Sequence, residues 1–185
     1  MERELVKQVA IATMGGGCFW CVEAVIQRLR GVVSVTSGYT GGETENPSYK
    51  EICTGTTGHT EVVQIEFDEE LIDYRQLLTV FMLTHDPTTL NRQGNDVGTQ
   101  YRSAIYYHDE QQQTIAKEVI EDIDVSEVYA SPVVTEISPL GVFYAAESYH
   151  QNYFNQNPSQ QYCMFVVGEK VAKARAKFSD LMIAE

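Results

Sequence analysis

The chain is poor in positive charge, histidine, cysteine and long apolar runs. Against 26 Asp and Glu stand 13 Lys and Arg, for a formal net charge of −13 at pH 7. Phosphate backbones are bound by clustered Lys and Arg, so this balance argues against a nucleic-acid partner. The same deficit argues against anionic membrane surfaces. No apolar stretch approaches the roughly 20 residues of a membrane-spanning helix. The opening Met1-Glu-Arg-Glu-Leu5 carries charge where a secretory signal would carry an apolar run, so a cytoplasmic location is expected. The four histidines do not cluster. Cys53 and His59 form the one near pair, at a spacing unusual for zinc, so a metal site is the weaker reading and none is expected. Glycines are present before a helix, but no Lys-Ser/Thr follows them, which excludes a phosphate-binding loop of that type.

What remains is ample. A chain of 185 residues with 43% hydrophobic content can bury the core of one domain, taken here as residues 1–185. In a reducing compartment its 4 cysteines point to catalysis, thiol exchange or metal binding rather than structural cross-links.

The densest chemistry lies in Met14-Gly-Gly-Gly-Cys18-Phe-Trp-Cys21-Val-Glu23. An apolar run before the glycines and a helical pattern after them place Cys18 at a helix N-terminus. Unpaired backbone N–H groups and the helix dipole favour a thiolate there. Phe19 and Trp20 would stand beside it as apolar walls. Cys21 follows one turn later, and a C-x-x-C pair at a strand-to-helix turn reads as a dithiol redox site. On these residues alone, a general thiol-disulfide oxidoreductase and a zinc-stabilised binding module stay open beside a dedicated enzyme.

The pattern along the chain predicts strands over Lys7–Thr13, Val32–Thr36, Glu61–Phe67 and Ser103–Tyr107, from β-branched or alternating apolar residues. Helices are predicted over Phe19–Leu29, closed by Gly31, and from Asp73, with Gln76 completing a capping box, to the residues before Asp86-Pro87. Ser37–Tyr49 and Thr88–Gln100 read as loops. The order is β-α-β-β-α-β, so the fold class is α+β: a ferredoxin-like two-layer sandwich. An elaborated C-terminal region follows: a helix over Glu110–Ile123, an edge strand at Val133–Ile137, a short helix at Ala145–Phe154, a loop at Asn155–Gln161 and an amphipathic helix over Glu169–Met182. A carboxyl at the mouth of a strand beside apolar walls, as at Glu61, can hold its proton at neutral pH. Tyr39, Tyr49 and Tyr101 sit in glycine-rich loops, a setting where side chains often serve a site.

Six segments, in order, resemble one family: Gly17-Cys-Phe-Trp20, Gly38-Tyr-Thr-Gly-Gly42, Asn46-Pro-Ser-Tyr49, Thr57-Gly-His-Thr-Glu61, His85-Asp-Pro87 and Gly94-Asn-Asp-Val-Gly-Thr-Gln-Tyr-Arg-Ser103. Ala146-Glu-Ser-Tyr-His-Gln151 and Asn157-Pro158 through Tyr162-Cys163 extend the match. The family is peptide methionine sulfoxide reductase A. The resemblance implies reduction of the S epimer of methionine sulfoxide, free or in oxidised proteins, without a cofactor. It implies Cys18 as the attacking thiolate and Glu61 as proton donor. Tyr49 and Tyr101 would hold the sulfoxide oxygen, Phe19 and Trp20 the S-methyl pocket, and Asp96 a supporting place in the site. Thioredoxin or another dithiol would supply electrons.

The chain departs from the commonest family pattern twice. Cys21 stands where many members have glycine. The tail after Cys163 continues Met-Phe-Val-Val, with no glycine-rich arm and no later cysteine. Cys21 is therefore expected to resolve the Cys18 sulfenic acid, since residues i and i+3 face one another on a helix. Cys163 is the second candidate, and Cys53 is expected to be a structural thiol.

Overall fold

The computed structural model describes residues 8–185. The first predicted strand opened at Lys7, which lies outside the described residues. Strand β1 (Val9–Gly15) leads into helix α1 (Phe19–Ile26), then β2 (Val32–Thr40), a short α2 (Tyr49–Cys53), β3 (Thr60–Asp68) and α3 (Tyr74–Thr84). A small ribbon, β4 (Arg92–Gln93) with β5 (Asp96–Val97), precedes β6 (Ala104–Tyr107). Helix α4 (Glu110–Ser126), β7 (Glu136–Pro139), β8 (Tyr144–Ala145), α5 (Tyr153–Gln156) and α6 (Gly168–Phe178) complete the order. A π-helical turn, Cys163–Val167, runs directly into α6.

The main sheet is ordered β7-β6-β1-β3-β2-β8. Its central four strands, β6-β1-β3-β2, pair antiparallel throughout. This is the expected ferredoxin-like frame, with β6 as its fourth strand. The alternation along β3 sends Glu61, Val63, Ile65 and Phe67 to one face. There Val63, Ile65 and Phe67 join Ala12 and Met14 of β1 in a core with α1, α3, α4 and α6. On the opposite face Val62, Ala104 and Tyr106 form a smaller cluster beneath Leu140 and Phe143. Helix α3 starts as expected: Asp73 accepts from the Gln76 N–H at 2.7 Å, and Gln76 returns a bond to the Asp73 N–H.

Several local expectations are corrected. Ser37–Tyr49 is not one loop. Strand β2 runs on to Thr40, because each added residue pairs with β3 as far as Thr60. Ser48 and Glu51 form a reciprocal capping box that starts α2 at Tyr49. Thr88–Gln100 contains the β4–β5 ribbon. The added strand is Glu136–Pro139, starting three residues and ending two residues later than expected, in parallel pairing to β6. Ala145–Phe154 is not a helix. Its start pairs with the edge of β2, the Gln151 amide bonds both the N–H and the C=O of Ser37, and Asn152 adopts a positive φ of 54°. Asn155–Gln161 is not wholly loop either, since α5 extends into it.

The β1–α1 turn depends on Gly17. Its φ is +93°, and a Cβ there would lie 2.6 Å from Gln93 Cγ. Gly17→Ala is expected to cost about 1–3 kcal/mol in backbone strain alone. Chemical denaturation measures this as a lowered midpoint with an unchanged slope.

Candidate active site

Cys18 is the N-cap of α1, and its side chain makes no capping bond. The buried helix terminus, with N–H groups unpaired within the helix, instead finds a carboxyl from the sheet. The Phe19 N–H donates to Glu61 Oε1 at 3.2 Å. Glu61 can reach because it lies on the helix-facing side of β3, paired with Tyr39 of β2. Only 1% of it is exposed. A helix N-terminus would stabilise a carboxylate, but here burial dominates. It pushes the Glu61 carboxyl up to about 8, with Asp96 and Cys21 adding to the rise against the Phe19 N–H bond. Glu61 thus carries its proton at neutral pH.

The Cys18 thiol, expected to be acidic, is instead pushed up. Burial is the main cause, and the neighbouring Cys21 and Glu61 add to it. Cys21 is brought down to about 7, first by its hydrogen bond with Cys18, then by Lys170 and Tyr162, against its own burial and Asp96. The two sulfurs hold one negative charge between them, so the first ionisation belongs to the pair. Cys18 is 8% exposed and Cys21 2%, so an attacking group reaches Cys18 more readily.

Tyr49, at the start of α2, and Tyr101, in the turn before β6, face Glu61. Burial is the main reason that both hydroxyls are held well above the ordinary tyrosine range, and the Glu61 charge reinforces it. Both remain hydrogen-bond donors at any working pH. Trp20 stacks on Tyr153 with centroids 3.8 Å apart and planes 6° from parallel. Its indole N–H donates to His150 Nδ1 at 3.1 Å. His150 is fully buried and packs against Phe19 at 5.1 Å and Tyr49 at 4.3 Å. Asp96 accepts from the Tyr162 hydroxyl at 2.7 Å, and the Tyr162 oxygen lies 3.8 Å from Cys21 Sγ.

The structure therefore gathers Cys18, Phe19, Trp20, Cys21, Tyr49, Glu61, Asp96 and Tyr101 at the N-terminal end of α1. Cys163 is fully buried at the head of the π-helical turn, and the Cys21 charge acts on it. Cys53 is not a sealed structural thiol. It is exposed at the end of α2, near the Tyr49 and Tyr101 hydroxyls. The residues missed as site residues are Tyr162, His150 and Glu147. Glu147 accepts from the Tyr39 hydroxyl at 3.0 Å and from the Tyr49 N–H at 2.9 Å. Their only sequence signal was membership of the recognised segments.

The chain matches the peptide methionine sulfoxide reductase family model over residues 10–182. It belongs to that family. Its sequence is 57% identical over 171 residues to the peptide methionine sulfoxide reductase MsrA of Polynucleobacter asymbioticus, covering 92% of this chain and 90% of that one. Among solved structures, Mxr1 from Saccharomyces cerevisiae in reduced form superposes with a TM-score of 0.79 at 33% identity, over 88% of this chain and 92% of that one. Mxr1 in complex with Trx2 matches with a TM-score of 0.56 at 23% identity, over 80% and 86% of the two chains, a likeness of fold. No group of three or more metal-binding side chains occurs among the described residues of this reductase. No helix among them is long and apolar enough to cross a membrane.

Proposed function

We propose that this chain reduces the S epimer of methionine sulfoxide, free or within oxidised proteins, to methionine, using thiols and no cofactor. One observation carries the reading. A carboxyl that keeps its proton at neutral pH is held against the N–H of the residue following a nucleophilic sulfur.

The Cys18 thiolate attacks the sulfoxide sulfur, and Glu61 gives its proton to the sulfoxide oxygen. The Tyr49 and Tyr101 hydroxyls donate to that oxygen as charge develops, a form of stabilisation that is usually the largest single catalytic contribution. Methionine leaves and Cys18 becomes a sulfenic acid. Phe19 and Trp20 receive the S-methyl group. Asp96 acts through Tyr162 to orient the Cys21 side of the site.

Cys21 then attacks the sulfenic sulfur, water leaves, and a Cys18–Cys21 disulfide forms. Its position one helical turn away supports this choice over Cys163, which would have to leave a fully buried position. A dithiol protein of the thioredoxin type restores both thiols, a partner suggested by the Mxr1 complex with Trx2. The same reading takes the reaction as cytoplasmic and residues 1–185 as one domain.

The test supplies the reduced protein with dithiothreitol and each epimer of N-acetylmethionine sulfoxide separately. Methionine product from the S epimer alone is expected. Equal release from both epimers, or release from neither, would overturn the reading.

A further inference from the structure

Behind Cys21, away from the substrate side, lies a narrow cavity of about 10 Å³, close to the space of a single water. Gly16, Val22, Val25, Ile26 and Phe81 supply much of its apolar wall. Its remaining lining is Cys21 from α1, Thr84 and His85 at the end of α3, and Lys170 from the first turn of α6. His85 brings no charge. Burial pushes its imidazole down to about 4, and its ring bonds the Phe81 carbonyl at 2.6 Å and the Ser103 hydroxyl at 2.7 Å. Lys170 is the only cationic side chain among these lining residues. No carboxylate pairs with it among the described residues, whereas its neighbour Lys173 pairs with Glu169. A partly buried lysine with no ion pair among the described residues thus lines the same small cavity as the Cys21 side chain.

We propose that Lys170 is a positioning residue for the resolving step: across this cavity its ammonium holds the Cys21 sulfur as the thiolate that attacks the Cys18 sulfenic acid. The proposal rests on the reading that Cys21 resolves. In the step an S–S bond forms and the S–O bond of Cys18 breaks. The sulfenic sulfur is reduced, the Cys21 sulfur is oxidised, and hydroxide leaves with one proton as water. No outside oxidant is needed.

The same charge acts on the return. When a dithiol attacks the disulfide at the more exposed Cys18, Cys21 is the leaving group, and a thiol of lower pKa leaves faster. A sulfur brought to about 7 suits both directions, because the best attacking thiol titrates near ambient pH. Lys170 does not act alone. Cys21 is faced by Cys18 on α1, Glu61 on β3, Asp96 on β5, neutral His85 on α3, and Tyr162 and Cys163 ahead of α6. Glu61 and Cys163 are protonated near pH 7, so burial and Asp96 are what oppose a charge on Cys21, and Lys170 is the cation that offsets them.

The test follows disulfide formation against pH after reduced protein meets one equivalent of N-acetylmethionine S-sulfoxide. Wild type, Lys170→Met and Lys170→Arg are compared, with methionine release recorded in the same samples. In Lys170→Met the half-maximal pH for disulfide formation should rise by about one unit. Dimedone should then trap several-fold more sulfenic acid at pH 7. Lys170→Arg should keep the wild-type profile. A Lys170→Met profile that overlays wild type, while peptide mapping shows a Cys18–Cys21 bond, would overturn the role of Lys170 alone. A mapped Cys18–Cys163 bond in wild type would overturn the resolving assignment, and this proposal with it.

Discussion

A Glu61→Gln variant is expected to release methionine roughly 10²–10⁴-fold more slowly than wild type, the usual contribution of a positioned proton donor. The amide can still accept from the Phe19 N–H, so α1 keeps its terminus. It cannot give up a proton to the sulfoxide oxygen. In wild type the same group sets an alkaline limit. Its carboxyl titrates near 8, so the rate of the first step should fall about tenfold per unit well above that pH. Stability carries the matching sign. A carboxyl raised in the folded state binds more protons there than in the unfolded chain. Wild type therefore loses stability as pH rises from the unfolded value near 4.5 to the folded value near 8. Glu61→Gln should melt above wild type at pH 9 and gain nothing at pH 4. A rate that stays flat to pH 10, or a variant that melts below wild type at pH 9, would remove Glu61 from the donor role.

The second large effect concerns turnover rather than chemistry at the sulfoxide. Cys21→Ser should release one methionine per chain and then stall. With thioredoxin as reductant, steady-state turnover should drop by roughly 10²-fold or more, because a tethered thiol outcompetes an external one through its effective concentration. Dithiothreitol, small enough to reach the 8%-exposed Cys18 directly, should restore part of the rate. Cys163→Ser should turn over with thioredoxin at close to the wild-type rate. The opposite ranking of the two variants would make Cys163 the resolving thiol and require the π-helical turn to open.

How much of this was legible beforehand depended on whether the signal was local. The βαββαβ frame was readable because β-branched alternation and two capping patterns mark it residue by residue. The α2 start carries such a mark in Ser48 and Glu51, masked by the glycines and proline around it. The 145–154 segment misled because its helical composition lost to pairing on the β2 edge and to the Gln151 bonds to Ser37. The same division holds at the site. Cys18 announced itself through the glycine turn and the helix that follows. Glu61 would have passed for a solvated strand end without the recognised segments, since its burial depends on packing against α1. The low proton affinity of Cys21 was invisible, because Lys170, Asp96 and Tyr162 approach it from residues far apart in the chain. The exposure of Cys53 was likewise set by where α2 ends, which one cysteine does not reveal.

The single tryptophan of the chain sits between the two sulfurs, stacked on Tyr153 and tied to His150. Closing a bridge from residue 18 to residue 21 must twist the segment that carries it. The chain thereby holds a built-in optical reporter: the emission of Trp20 should step once as the bridge closes and step back as it opens. Both halves of the cycle could then be timed in a stopped-flow cell without any label.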